Sequence, residues 1–210
     1  MDASTEELRA AHDVLSEFYA EHLAGALDRM PEDRAVLGLF CELVLGADIG
    51  ASVGDIGCGT GRPDPFLATR GLAPRGVDLS PEMIRVARRD QPGFEYEVAD
   101  LRELPFEDAS LAGIVCWYSV IHAAPGDVPA YFAEFGRAVK PGGHLLAAFF
   151  EAVNEPVTAY GHPVTTAYRW PADELAAVAG TAGFAEVGRM SREPAEGTRF
   201  RRGHLLMRRR

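Results

Sequence analysis

No run of eighteen or more apolar residues occurs in the 210-residue chain, so no segment reads as a membrane-spanning helix. Met1 to Glu7 is polar and acidic, where a secretory signal is basic and then apolar. A soluble, cytoplasmic protein with no membrane partner is expected. Cysteine is scarce. Cys41, Cys58 and Cys116 form an odd set without metal-ligand spacing, which argues against a disulfide framework and leaves three reduced packing residues. Positive charge is also short. The net charge is −10, and the last twelve residues hold six arginines (Arg199, Arg201, Arg202, Arg208, Arg209 and Arg210) and no acid. The rest of the chain, fifteen basic residues against thirty-one acidic, stands at −16 and repels nucleic-acid backbones. A nucleic-acid partner is therefore disfavoured; the basic end is either a solvated last strand or a contact for an acidic partner. Internal repeats and low-complexity segments are absent. What remains is a chain of single-domain length, 47% hydrophobic, enough for one substantial core.

Against these absences one motif stands out: Val53-Gly54-Asp55-Ile56-Gly57-Cys58-Gly59-Thr60-Gly61, then Gly76-Val77-Asp78-Leu79-Ser80. An acidic residue leading Gly-x-Gly-x-Gly out of a short apolar strand predicts a tight turn where backbone approaches a ligand. Asp78, twenty-three residues after Asp55, falls where an acid at the end of the next strand hydrogen-bonds a ribose diol. An adenosine-containing cofactor is expected. The dinucleotide fingerprint wants its last glycine three residues after the middle one. Here Arg62 occupies that position and the third glycine arrives one residue early, at Gly61, which opposes a nicotinamide oxidoreductase.

The pattern Asp55-x-Gly57-x-Gly59-x-Gly61 resembles motif I of the class I S-adenosylmethionine-dependent methyltransferases. The similarity runs on in order: Phe94 to Leu101 alternates as a half-buried strand and ends in Asp100; Leu104 to Ser110 resembles the family's link into strand four, Leu111 to Trp117; and Arg137-Ala138-Val139-Lys140-Pro141-Gly142-Gly143 resembles the turn that opens strand five, His144 to Phe150. Gly142 and Gly143 both suit the positive φ of such a turn. The flanks, Trp117 to His122 and Ala159 to Val164, resemble a branch of small bacterial methyltransferases. The resemblance covers about residues 50 to 150. It implies a Rossmann-like α/β fold: a doubly wound seven-stranded sheet, mostly parallel with the last strand antiparallel, and helices on both faces. It also implies S-adenosyl-L-methionine as cofactor, leaving as S-adenosyl-L-homocysteine, held by Asp55, Gly57, Gly59, Gly61, Asp78, Leu79, Asp100, Leu101 and Trp117. In that family the carboxylate at the Asp100 position takes the adenine amino group, and Leu101 covers the ring.

A single domain is expected, organised as an N-terminal helical lid (1–47), a cofactor-binding core (50–150), an irregular substrate loop (151–170) and a C-terminal helix with an antiparallel strand pair (171–210). Thr5 to Leu27 has helical periodicity, broken by Pro31 from a second helix to Leu45. After the glycine loop the helix starts near Pro63 or Pro65 and ends before Gly71. Ser80-Pro81-Glu82 is a clear helix start, with Ser80 as N-cap. Phe184 to Met190 and His204 to Met207 read as the closing strand pair.

In S-adenosylmethionine the methyl group is already activated, so the protein must align a nucleophile and, where required, take its proton. Candidates follow strands four and five, because ligands in open α/β sheets bind beyond the carboxyl ends of the strands. His122 is the first candidate for a general base, since an imidazole titrates near neutrality; its alternative is a structural histidine bound to backbone. Tyr118 orients the acceptor or packs in the core. Tyr19 from the lid, and His162, Tyr168 and Arg169 from the loop, are candidate acceptor contacts, Arg169 for an acceptor carboxylate or phosphate. Asp127 alone is too little for a magnesium site near strand four, and no metal is expected. The leading reading is methyl transfer to an oxygen or nitrogen of a small molecule by in-line displacement. The alternatives are a non-catalytic cofactor-binding or regulatory protein, and the same scaffold turned to another reaction such as a cyclisation. Oligomeric state is not readable.

Overall fold

A computed structural model describes residues 3–194 and 199–210. Its centre is a seven-stranded sheet in which β1 (Ser52–Ile56), β2 (Ala73–Asp78), β3 (Glu95–Val98), β4 (Leu111–Trp117) and β5 (Val139–Phe150) run parallel. After β6 (Thr158–Gly161) and β7 (Thr166–Arg169), which pair apart from the sheet, β8 (Phe184–Arg192) and β9 (Arg202–Arg209) complete it, in spatial order β3-β2-β1-β4-β5-β9-β8. The last strand, β9, is antiparallel to both its neighbours, as expected from the sequence.

Period-two alternation decides which face each strand residue enters. Along β4, Ile114 and Cys116 join one core with Leu145 and Phe149 of β5, packed beneath α5 (Val128–Ala138) and α6 (Ala172–Thr181). Val115 and Trp117 face the other way, with Leu146 and Ala148, against α2 (Pro31–Gly46). Large side chains such as Phe40, Phe132, Phe135 and Phe149 are fully buried, each contributing roughly 1.5–3 kcal/mol. Three further helices finish the frame: α1 (Ala3–His22), α3 (Asp64–Thr69) and α4 (Pro81–Asp90). At the start of α4, the Ser80 hydroxyl accepts the Met83 N–H at 3.0 Å, and Met83, Ile84, Val86 and Ala87 are buried.

Several expectations need correcting. The N-terminal helix ends at His22, and a separate 3-10 turn covers Leu27–Arg29. The stretch 151–170 is not an irregular loop, because β6 and β7 form an antiparallel hairpin within it. β3 is shorter and β5 longer than their sequence patterns suggest, and the closing pair extends to Arg192 and Arg209. Of the paired glycines in the first part of β5 only Gly142 has positive φ, at 85°. Gly143 is needed for space instead, since a Cβ there would lie 2.7 Å from the Ala112 carbonyl oxygen. Arg137 donates to the Leu104 and Phe106 carbonyls and to Asp108, clamping the segment that enters β4. No helix of the described residues is long and apolar enough to cross a membrane.

Candidate active site

The sheet order reverses between β1 and β4, and a crevice at such a switch point, beyond the carboxyl ends of the strands, is the expected ligand position. A cavity of about 370 Å³ lies there, closed on one side by α1. Its floor is the glycine loop. The Gly57 and Cys58 N–H groups donate to the Val77 carbonyl at 2.8 and 3.0 Å, folding the loop back toward β2. Asp78, at the end of β2, fixes it further: one carboxylate oxygen accepts the Gly59 N–H and the other the Ser80 N–H, both at 2.9 Å.

The three motif glycines all have positive φ but answer to different constraints. A Cβ on Gly57 would lie 2.2 Å from Cβ of Ser119, whose hydroxyl donates to the Ile56 carbonyl at 2.7 Å. One on Gly61 would lie 2.2 Å from the Tyr96 hydroxyl. A Cβ on Gly59 would meet nothing within 4 Å, and that open space is the cavity.

Asp55 and Gly61 do not line the cavity, contrary to their reading as cofactor contacts. Asp55 is fully buried beneath the loop, where it shares a side-chain hydrogen bond with Asp64. Burial, then the neighbouring Asp64 and Asp78 charges, pushes its carboxyl well above the usual range. Asp64 is raised too, chiefly by burial, and accepts the Tyr96 hydroxyl at 2.7 Å. Asp55 and Asp64 lie beneath the loop, outside the lining of the cavity.

Asp78, Leu79, Asp100, Leu101 and Trp117 do line the cavity. The Asp100 carboxylate is also engaged by Arg102, through its backbone N–H at 2.9 Å and its guanidinium at 2.6 Å. Tyr118 follows β4 with φ of 59°, left-handed backbone that is rare for a bulky residue. That turn sends its ring into the cavity, where its hydroxyl is buried without a hydrogen-bond partner. Burial raises its pKa, with Asp33 adding to the effect.

His122 sits on a 3-10 turn, Val120–His122, between two other imidazoles. Ring centroids lie 5.2 Å from His12 of α1 and 4.9 Å from His162 of the β6–β7 hairpin, both edge-on. Burial, then His12 and His162, lowers the His122 pKa to about 3. Its enclosed position disfavours the charged form, which argues against titration near neutrality. Tyr19 and His162 line the cavity as expected, whereas Tyr168 and Arg169 do not. Arg169 is held by Glu155 at 2.7 Å and lies over the Phe200 ring, so an acceptor carboxylate has no access to it from within the cavity. Among the described residues no group of three or more His, Cys, Asp or Glu could hold a metal ion.

Sequence reasoning missed His12, Asp33, Arg62 and Arg202, all cavity-lining. Helical spacing held a signal for two of them. His12 falls on the same face of α1 as Leu8, Leu15 and Tyr19, and Asp33 on the same face of α2 as Val36, Leu37, Phe40 and Val44. Arg202 had no such signal, since only strand pairing brings it to the cavity.

Residues 53–143 match a family model described as a methyltransferase domain. Over 92 residues, 44% of this chain, the sequence is 36% identical to the malonyl-[acyl-carrier protein] O-methyltransferase of Serratia marcescens, covering 35% of that protein. Over 109 residues, 51% of this chain, it is 31% identical to the demethylmenaquinone methyltransferase of Tropheryma whipplei, covering 45% of it. The chain thus spans less than half the length of these curated relatives. Among solved structures, the 1,6-didemethyltoxoflavin-N1-methyltransferase of Burkholderia thailandensis, with bound 1,6-didemethyltoxoflavin and S-adenosylhomocysteine, superposes with a TM-score of 0.68 at 21% identity, over 93% of this chain and 87% of that one. That likeness bears on the fold.

Proposed function

We propose that the chain is a class I S-adenosylmethionine-dependent methyltransferase, on the strength of the methyltransferase-domain match over residues 53–143 and the ordered motifs, and that it transfers a methyl group to an oxygen or nitrogen of an uncharged, largely apolar small molecule. The observation that carries the reading is a single cavity with two chemically distinct ends at the sheet's switch point. One end has the features an adenosine cofactor needs: open space over Gly59, a carboxylate at Asp78 for a ribose diol, and Leu79, Met83 and Leu101 to cover a base. The other is walled by Leu15, Phe18, Tyr19, Phe150, His122 and His162. Arg202 lies 5.8 Å from the Tyr118 ring and 3.9 Å from Asp33.

When bound, the cofactor supplies a methyl group already activated on a positively charged sulfonium. The task left to the protein is positioning, and effective concentration is where most of such a barrier is lowered. Tyr118 is aimed into the cavity by its strained backbone and presents a hydroxyl that stays protonated, a donor or acceptor for the acceptor's heteroatom. His122, neutral across the physiological range, accepts a hydrogen bond from an acceptor O–H or N–H and orients its lone pair toward the reacting centre. As a base it is weak, so the reading favours acceptors that need little deprotonation before attack. α1 excludes water from above.

Isothermal titration with S-adenosylmethionine, S-adenosylhomocysteine and NAD tests the premise. Selective binding of the two sulfur compounds supports it, and binding of NAD alone overturns it. Neutral phenols and heterocyclic amines, followed by release of S-adenosylhomocysteine, then test the acceptor class. Turnover confined to carboxylate acceptors refutes it.

A further inference from the structure

We propose that Arg62 is the anchor for the carboxylate at the amino-acid end of the cofactor, an inference that rests on the function proposed above. Arg62 follows the last motif glycine and lines both the main cavity and a small recess bounded by Leu27, Met30, Asp33, Leu37, Pro63 and Trp117. Among the described residues no carboxylate oxygen comes within 4.0 Å of its guanidinium, and no hydrogen bond reaches it. Burial lowers its pKa, while Asp33 and Asp55 raise it from a distance. Arg62 is only partly buried, so its guanidinium stands at the cavity wall as a cation with no partner among the described residues, open to a ligand anion.

The local charges point to one such anion. Asp33 lies 3.8 Å from Arg192 and 3.9 Å from Arg202, and Glu32 pairs with Arg192 at 3.1 Å. With the buried Asp55 carboxyl left out, because it is pushed well above the usual range, three guanidiniums (Arg62, Arg192 and Arg202) stand against two carboxylates (Glu32 and Asp33), and the excess is a single positive charge.

Topology puts that charge where an amino-acid carboxylate belongs. Asp78, the ribose partner, ends β2 on one side of the glycine loop. Arg62 shares its recess with Trp117, at the end of β4 on the other side. A ligand held by its diol at Asp78 and crossing Gly59 reaches Arg62 with its opposite end. With Arg62 so used, no unpaired cation remains among the described residues lining the cavity to select an anionic acceptor.

The test is titration calorimetry of the full chain with S-adenosylhomocysteine and with its decarboxylated counterpart, which lacks only the carboxylate. The wild type should prefer S-adenosylhomocysteine by about ten- to a hundredfold, the range of one charge-assisted hydrogen bond. In Arg62→Met that preference should vanish: S-adenosylhomocysteine weakens, and the decarboxylated compound binds as well as before or better, having lost a repelling cation. Its retained binding also reports that the variant is folded. Arg62→Lys should keep part of the preference. A wild type that does not discriminate, or an Arg62→Met variant that still does, overturns the assignment and leaves the cofactor reading intact. Failure of the wild type to bind either compound overturns both.

Discussion

Replacing Gly59 and Gly61 separately by alanine should divide one motif into a binding function and a folding function. Both residues have left-handed backbone, with φ of 55° and 72°. An L-residue there costs about 1–2 kcal/mol, of which about 0.4–1 kcal/mol is recovered from the reduced entropy of the unfolded chain. Gly59→Ala adds a methyl to open space, so its stability loss should stop at about 1 kcal/mol. In Gly61→Ala the methyl meets the Tyr96 hydroxyl at 2.2 Å and the ring carbon bearing it at 2.7 Å. Overpacking of that kind adds about 1–3 kcal/mol, for a total of about 2–4 kcal/mol. At this chain length the melting temperature should fall by roughly 2–4 °C for Gly59→Ala and roughly 5–15 °C for Gly61→Ala. Binding should follow the reverse order. Gly59→Ala fills space reserved for the cofactor and should cost at least about tenfold in S-adenosylhomocysteine affinity, an overpacking penalty of about 1.4 kcal/mol or more. Gly61→Ala, measured well below its melting temperature, should lose less. Scanning calorimetry and titration calorimetry on the same preparations decide the matter. Unaltered affinity in Gly59→Ala refutes the path of the ligand over the loop; equal melting temperatures refute the account of Gly61.

Asp78→Ala removes a ribose partner and leaves the Gly59 and Ser80 N–H groups without their acceptor, so cofactor affinity should fall by more than about tenfold; unchanged affinity by titration would show that β2 does not carry the ribose site. His204 is buried beside Trp117, and burial lowers its pKa to about 4. The folded protein therefore holds fewer protons than the unfolded chain between about pH 4 and 6.5, so this stability is present at neutral pH and is lost as pH falls through that window, by about 1.4 kcal/mol per pH unit. Urea unfolding from pH 7 to 5 should show the slope, and His204→Phe should flatten it; an unaltered slope contradicts the assignment. For His122, a hydrogen-bonding role predicts that His122→Ala lowers kcat by about tenfold or less, below the range of general acid–base catalysis, with no inflection near pH 6.5 in the wild-type rate profile. An inflection there that disappears in the variant would restore the general base.

The sheet and the glycine loop are legible in the sequence because both depend on local pattern. The continuous apolar run from Leu111 to Trp117 predicts β4, and Ser80-Pro81-Glu82 predicts the start of α4. The contacts around the site are less so. Nothing near Asp55 in sequence reveals that Asp64 and Tyr96 enclose it beneath the loop, or that Gly61 is held by packing against a strand thirty-five residues away. The same limit applies to His122. An isolated imidazole titrates near neutrality, and only the convergence of α1 and the β6–β7 hairpin brings His12 and His162 against it. Arg169 misleads for a related reason, because Glu155, fourteen residues earlier, claims it once the hairpin forms.

One property of α1 extends beyond the site. Among its described residues only Ser16 is buried, while Val14 is 84% and Phe18 50% exposed. Polar contacts hold it down: Asp13 accepts the Ser80 hydroxyl, and Glu17 meets Arg85 and Arg89 in solvent. Its apolar face, with Leu8, Leu15 and Tyr19, looks into the cavity. A molecule filling the cavity would cover that apolar face, and so would act as a folding partner for Ala3–His22. Under the proposed function, release of that molecule would require α1 to give up the same contacts, which would tie the pace of turnover to how readily a salt-sensitive helix lifts away.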